Sequence, residues 1–456
     1  MAATLLLLPG CMPDKEIRAM ARQGGGSETT ITGRVVDITG TPVPGAAVRM
    51  RLEDDLPLNL FSPDSGEVTD LPLAHTDQDG TFRLPGRASG SYFVECRSPA
   101  NGAALLRAEI ASQDTLRLPD AVLRPTGAVK GRIAAPMENG EVAPWFYSNY
   151  VFIPGLWKRD IASQENGFGF LLKDVPAGRY TLRVQPAFPS SLSWWKILEV
   201  PDVEVGSGDT LDLDSLSLPE RTGLQDSAYT RDSLAIHSIY LANPDSNRGP
   251  DSGWVEAHTA VIGNRITMFV SFDTPLQCIP KEIRSLDALE VIYMLGLGDS
   301  NRLDVAPEVS SLPHLKRLWL VNFDLSRLPA WTGTFPELTS LELNRVDAFP
   351  EWVLELGRLS YLELGGDLLP IPETLDRLRS LHTLNLSGNE LASFPRVLMG
   401  MPSLQGVNLR RNRLCSTTAE EKAWIAHQDS LWWAGADPLM YMPDTAGWES
   451  TQRCGP

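Results

Sequence analysis

Glu342 and Glu363 occupy the same slot of a recurring leucine pattern, and Tyr293, Arg317, Trp319 and Tyr361 occupy matching slots nearby. Paired carboxylates can act as general acid and base on a glycosidic bond. Aromatic rings beside an arginine and acids are, alternatively, the residue types that anchor protein interfaces. Other chemistry finds little support. The histidines are His75, His237, His258, His314, His382 and His427, and none stands at a metal-ligand spacing from another His or a Glu. No nucleophile elbow, Gly-rich phosphate loop or dinucleotide fingerprint occurs. Asp77, Asp79 and Gly80 resemble the start of a calcium loop, but Ala88 stands where the last carboxylate ligand is required, so a turn is the simpler reading. No cofactor and no metal is expected.

The elements that must position these residues are repeats. An L-x-x-L-x-L unit begins at Ile266, Leu289, Leu315, Leu338, Leu359, Leu381 and Leu404, at intervals of 23, 26, 23, 21, 22 and 23 residues. That is the period of leucine-rich repeats, so 266–414 is expected to form an α/β solenoid of about seven repeats with a concave parallel sheet. A Pro recurs at Pro280, Pro307, Pro329, Pro350, Pro372 and Pro395. Asn301, Asn389 and Asn412 can satisfy turn backbone groups, while Phe323, Val346 and Asp367 replace that Asn elsewhere.

Within each unit the third, fifth and seventh residues point off the sheet. The stripe so formed is graded. It begins apolar with Met268, Val270, Phe272, Val291, Tyr293 and Leu295, passes through Arg317, Trp319 and Val321, and turns acidic at Glu342 and Glu363. It ends polar and basic with Thr383, Asn385, Ser387, Gly406, Asn408 and Arg410. Tyr293, Arg317, Trp319, Glu342, Tyr361 and Glu363 form the candidate ligand-binding patch, and an intramolecular cover over its apolar end is an equal alternative. The two glutamates should lie about 5 Å apart at the backbone. An open, shallow sheet offers no groove to exclude water, so both are expected to be solvated acids and the chain is not expected to be an enzyme.

A solenoid needs caps because its end repeats have no neighbour. Residues 223–265 read as a linker and first cap, with Leu234, Ile236, Ile239 and Tyr240 on one face of a helix at 232–242. Residues 415–456 read as the second cap, with a helix from Thr417 to His427 and Trp424, Trp432, Trp433 and Trp448 closing the last repeat. Cys415 and Cys454 bracket it, in a manner that resembles the cysteine-clamped C-terminal flank of extracellular leucine-rich repeat proteins. That resemblance implies a disulfide. Cys96 and Cys278 are expected to be buried thiols.

Ahead of the repeats stand two modules of short strands and turns. In 29–124 the chain supplies Gly33, Val35, Asp37, Gly40, Pro42, Val43, Gly45, Ala46 and Val48, then Thr76, Asp77, Gly80 and Phe82, then Gly90, Tyr92 and Val94. This pattern resembles the carboxypeptidase regulatory-like domain, which implies a transthyretin-like, immunoglobulin-like β-sandwich and brings no peptidase. In 125–222, Gly178, Tyr180 and Leu182 echo Gly90, Tyr92 and Val94, which suggests a second all-β sandwich. Its Trp145, Phe146, Tyr147, Trp157, Trp194 and Trp195 fill a core or, alternatively, present a glycan-stacking surface.

At the start, Leu8, Gly10 and Cys11 resemble the lipobox of a bacterial lipoprotein signal peptide, which implies lipidation of Cys11, with 1–28 as a signal remnant and flexible tether through Gly24 to Ser27. Met12 in place of a retention Asp implies the outer membrane. Lys plus Arg number 40 against 57 for Asp plus Glu, a net charge of -17, without a basic run. Nucleic acid is thereby disfavoured as a partner. A length of 456 residues suits several domains, and 37 Gly with 35 Pro require many turns. The expected function is that of a cell-envelope protein without enzymatic activity that binds a protein or peptide on the concave face, with the β-sandwiches as spacers; the alternative is polysaccharide binding or scaffolding through the aromatic-rich second sandwich.

Overall fold

A computed structural model describes residues 30–454 with breaks, the longest at 57–73, 187–195, 244–254 and 436–446. In the first module, Thr30–Val36 alternates so that Ile31, Gly33 and Val35 point inward. It pairs antiparallel with Thr81–Pro85 and parallel with Leu116–Arg117 and Ala121–Val122. A second sheet, in the order Ala74–His75, Ala47–Leu52, Gly90–Ser98 and Gly102–Ile110, shares its core, where Ile31, Val35, Phe82 and Leu84 meet Val48, Met50 and Val94. Gly33 is required here because a Cβ would lie 2.4 Å from the Phe82 ring. Asp77 serves the turn, with Oδ1 accepting from the backbone N–H of Asp79 at 3.0 Å and Thr81 at 2.8 Å.

The second module repeats this construction. Lys158–Ser163, Ser148–Ile153, Gly178–Pro186 and Leu198–Val205 form one sheet, and Gly169–Val175, Gly127–Ile133 and Thr210–Leu216 form the other. Val129, Val151, Phe170, Leu182 and Val203 lie in the core between them. Phe93 of the first module enters this core and meets Tyr180 edge-on at 6.2 Å. Gly155 donates its N–H to the Asp55 carbonyl at 2.7 Å, an approach that a Cβ would close off. The aromatic residues 145–147, 157, 194 and 195 lie outside the described residues.

The third unit is built on an eight-stranded sheet. Thr259–Ile262 pairs antiparallel with Arg265–Ser271, after which Val291–Leu295, Arg317–Val321, Ser340–Val346, Tyr361–Gly366, Thr383–Asn385 and Gly406–Asn408 follow in parallel. Leucines at one slot stack behind the sheet as Leu318, Leu341, Leu362 and Leu384, all fully buried. Pro280, Pro350, Pro372 and Pro395 each stand immediately ahead of a short 3-10 turn on the opposite side, and Pro307 opens another. Asn389 Nδ2 donates to the Leu364 and Leu386 carbonyls, and Asn412 Nδ2 to those of Leu386 and Leu409, so each side chain ties adjacent turns together. Where the Asn is replaced, Phe323 and Val346 fill the core instead. Asn301 and Asp367 lie outside the described residues.

The caps differ in detail from expectation. The first cap helix runs from Ser227 to Ala242 and buries Tyr229, Asp232, Ala235, Ile236, Ile239 and Tyr240. Leu234, expected on that face, is 62% exposed. Steps of 100° from Ile236 place Asp232 inward and Leu234 outward. Asp232 is satisfied there by Arg265 Nε at 2.8 Å and the Ile266 N–H at 3.0 Å. The second cap helix, Ala419–Gly435, opens on a capping box: Thr418 Oγ1 accepts from the Glu421 N–H, and Glu421 Oε2 accepts from the Thr418 N–H. Trp432 and Trp448 are buried and Trp424 meets Phe394 edge-on. Cys415 and Cys454 are joined by a disulfide. Cys96 is a buried free thiol that burial, with Glu95, pushes up to about 12. Cys278 corrects the expectation of a second free thiol, since it is disulfide-bonded.

Candidate functional site

The candidate residues fall in two neighbouring rows that run across the strands. Register pairs Val270 with Tyr293, Tyr293 with Trp319, Trp319 with Glu342, Glu342 with Glu363, Glu363 with Asn385 and Asn385 with Asn408. The second row is Met268, Val291, Arg317, Ser340, Tyr361, Thr383 and Gly406. A two-residue side-chain period and parallel pairing suffice to place all six proposed residues on one face.

The apolar end of that face is covered by the modules. Leu56 of the first and Tyr150, Phe152 and Ile197 of the second pack with Met268, Val270 and Val291, and Tyr293 joins at the margin. Of the two readings left open for the early repeats, intramolecular cover is the one present. Arg317, Trp319 and Tyr361 are only 3%, 5% and 8% exposed, which corrects their assignment to an open ligand-binding patch. Arg317 Nη2 donates to the Leu56 carbonyl, and its guanidinium lies over the Trp319 ring at 5.7 Å. Burial pushes Arg317 down to about 10 despite Asp55 and Glu290 nearby, so it keeps its charge at neutral pH. Trp319 Nε1 donates to Ser340 Oγ at 2.8 Å, and its ring meets Tyr293 edge-on at 5.4 Å and Tyr361 at 6.2 Å.

Charged residues that pattern reading did not single out secure this cover. Glu290 accepts from Arg183 of the second module and from Lys316 of the next strand, while Lys316 also meets Asp54 of the first module at 3.0 Å. Arg358 donates to the Ser89 carbonyl at 3.1 Å. The Ile197 N–H donates to the Val261 carbonyl at 2.8 Å and extends backbone pairing from the second module to the edge of the repeat sheet. The signal in the sequence is weak: Glu290 and Lys316 each follow the first residue of a leucine unit, a slot open to any polar residue.

The far end is closed by the second cap helix. Gly406 lies against it, where a Cβ would come within 3.1 Å of Trp432 Cα. Arg410 makes a two-pronged pair with Asp429 at 2.8 Å on each arm. Between the two covers remains a strip in which Tyr293, Asn344, Glu363, Gly365, Thr383 and Ser387 are half-buried.

The carboxylates occupy this strip unequally. Glu363 is half-buried and accepts from Tyr361 Oη at 2.5 Å. Glu342 is 4% exposed, which corrects the expectation of two solvated acids. Burial, then the Glu363 charge, pushes the Glu342 carboxyl well above the usual carboxylate range. Burial and these two carboxylates push Tyr293 up to about 12. Among the described residues no group of three or more His, Cys, Asp or Glu side chains converges as a metal site.

The strands, the stacked leucines and the Asn-braced turns give the chain leucine-rich repeat character. No family model matches it. Over 136 residues it is 32% identical to the PH domain leucine-rich repeat protein phosphatase 1 of Rattus norvegicus, a stretch that covers 27% of this chain and 8% of that protein. Similar solved structures include a leucine-rich repeat protein from Bacteroides thetaiotaomicron, at 11% identity over 88% of this chain and 64% of that one, with a TM-score of 0.28. A leucine-rich repeat protein of Leptospira interrogans is 26% identical over 33% of this chain and 41% of that one, with a TM-score of 0.29. An internalin of Listeria monocytogenes is 22% identical over 36% and 46%, with a TM-score of 0.30. The chain thus spans less than two thirds of each of these proteins.

Proposed function

We propose that this chain is a non-enzymatic cell-envelope lipoprotein that binds a protein or peptide on the concave face of about seven leucine-rich repeats. The observation that carries the reading is the half-buried strip of Tyr293, Asn344, Glu363 and Thr383 left between the docked modules and the second cap helix. A strip bounded at both ends suits an extended segment laid across the strands better than a flat partner. The two modules, read as transthyretin-like sandwiches, have a double role: they space the repeats from the membrane and wall one end of the groove.

The test is capture by the purified full chain from surface and culture proteins of the source organism. Thr383→Arg, in the strip, should abolish capture of a specific partner, and Glu373→Arg, on an exposed 3-10 turn outside it, should not. Equal capture by both variants would remove the concave face from consideration. The anchor is a separate part of the reading, because Cys11 lies outside the described residues. Mass spectrometry of the membrane-extracted protein tests it directly. A labelled acyl chain that is lost in Cys11→Ala supports the anchor, and a full chain without one excludes it.

A further inference from the structure

Resting on the concave-face reading above, we propose that the strip receives a lysine or arginine side chain of its protein partner, held by Glu342 and Glu363 with Asn385 taking an adjacent carbonyl. Two independent observations point to a missing ligand. Glu342 Oε2 and Asn385 Nδ2 are both buried and have no hydrogen-bond partner among the described residues. They stand on the two strands that flank Glu363, one an acceptor and the other a donor. A buried polar atom left unpaired costs about 1–3 kcal/mol, and native proteins leave few of them. A cationic donor and the carbonyl beside it satisfy both atoms at once.

The surroundings select a cation over a neutral donor. Glu342 and Glu363 stand side by side in register, and the nearby Arg317 donates to the Leu56 carbonyl, so an incoming cation supplies the counter-charge that lets both carboxylates ionise. Asn385 Oδ1 already accepts from the Ser387 N–H at 3.0 Å, so its free capacity is the amide donor. Tyr293 and Tyr361 offer apolar ring surface along which the methylene stem of a lysine or arginine packs while its head reaches the acids. Glu363 and Thr383, both half-buried, form the way in. Burial without a counter-charge also explains why the Glu342 carboxyl resists ionisation.

The test uses the full chain and four synthetic heptapeptide libraries, randomised at the flanking positions with the central residue set as lysine, arginine, norleucine or glutamate. The lysine and arginine libraries should be retained at least tenfold better than norleucine, and glutamate least. Glu342→Gln and Glu363→Gln together should erase the preference, and thermal denaturation will show that the pair still folds. Equal retention of norleucine, or a preference that survives both Gln changes, overturns the proposal while leaving a binding face. Retention of none of the libraries also overturns it; the broader reading then stands or falls on the capture experiment alone.

Discussion

Arg183 of the second module and Glu290 of the repeat sheet share two hydrogen bonds, at 3.0 and 3.3 Å, across a boundary where both side chains are largely buried. Removing one member of a buried pair strands the other charge and costs about 3–5 kcal/mol. Arg183→Met should therefore loosen the module from the repeats. Denaturant unfolding followed by tryptophan fluorescence should show earlier loss of the module contact, and X-ray scattering a larger radius of gyration. An unchanged profile in both would mean that the remaining contacts, the apolar cluster around Phe152 among them, hold the boundary without this pair.

The same glutamate sets an acid limit. Burial pushes Glu290 up, but the charges of Arg183 and Lys316 outweigh it and hold the carboxyl below its ordinary value near 4.5. A carboxylate held down in the folded state adds stability above its unfolded value and loses that contribution as pH falls through the folded one. Wild type should accordingly lose stability below about pH 4.5, and Glu290→Gln should be less stable at neutral pH with a weaker acid dependence. Melting temperatures across pH 3–8 check this.

Glu342 has the opposite sign. Its carboxyl is pushed up, so its favourable contribution is complete below about 4.5 and is lost as pH rises through the higher folded value. Glu342→Gln should stabilise the protein at pH 8 by on the order of 1 kcal/mol, with the gain vanishing by about pH 4. A constant gain at all pH values would assign the effect to packing and not to charge.

The Cys415–Cys454 bridge closes the second cap, with a sequence separation of 39. Loop-closure entropy gives such a bridge about 3–4 kcal/mol. Replacing both cysteines by serine should open the Arg410–Asp429 end of the sheet before the middle repeats. Hydrogen exchange should rise first in Gly406–Asn408 and the helix Ala419–Gly435. Uniform acceleration through the whole sheet would show that the cap does not unfold separately.

The turn asparagines offer a local test. Asn389 and Asn412 are fully buried and each donates to carbonyls of two adjacent turns. Asn389→Ala should cost about 1–3 kcal/mol, since it leaves those acceptors unpaired. Phe323, which occupies the equivalent slot three repeats earlier, already fills it with apolar volume. Phe323→Asn should destabilise as well, and a stabilised variant would contradict the account of that slot.

Periodicity made the concave face legible. A repeat near 23 residues and alternation within each strand assign Tyr293, Trp319, Glu342 and Glu363 to one row without any knowledge of distant contacts, because neighbouring strands are joined by register alone. Local rules were equally sufficient at the turn built on Asp77. They misplaced Leu234, where an apolar residue lies on the outer side of its helix and an aspartate on the inner.

The sequence by itself determined which side chains share the face; the tertiary structure decided which of them meet solvent. Leu56 is more than two hundred residues from Arg317, and Tyr150 and Phe152 are more than a hundred from Met268, yet these contacts cover the apolar end of the face and tie down Arg317. Burial by a separate module depends on where whole surfaces dock, and no short-range pattern encodes that. Glu342, buried and resistant to ionisation, likewise differs from Glu363 one strand away. Their chemical type and register are identical, and only the surrounding packing separates them.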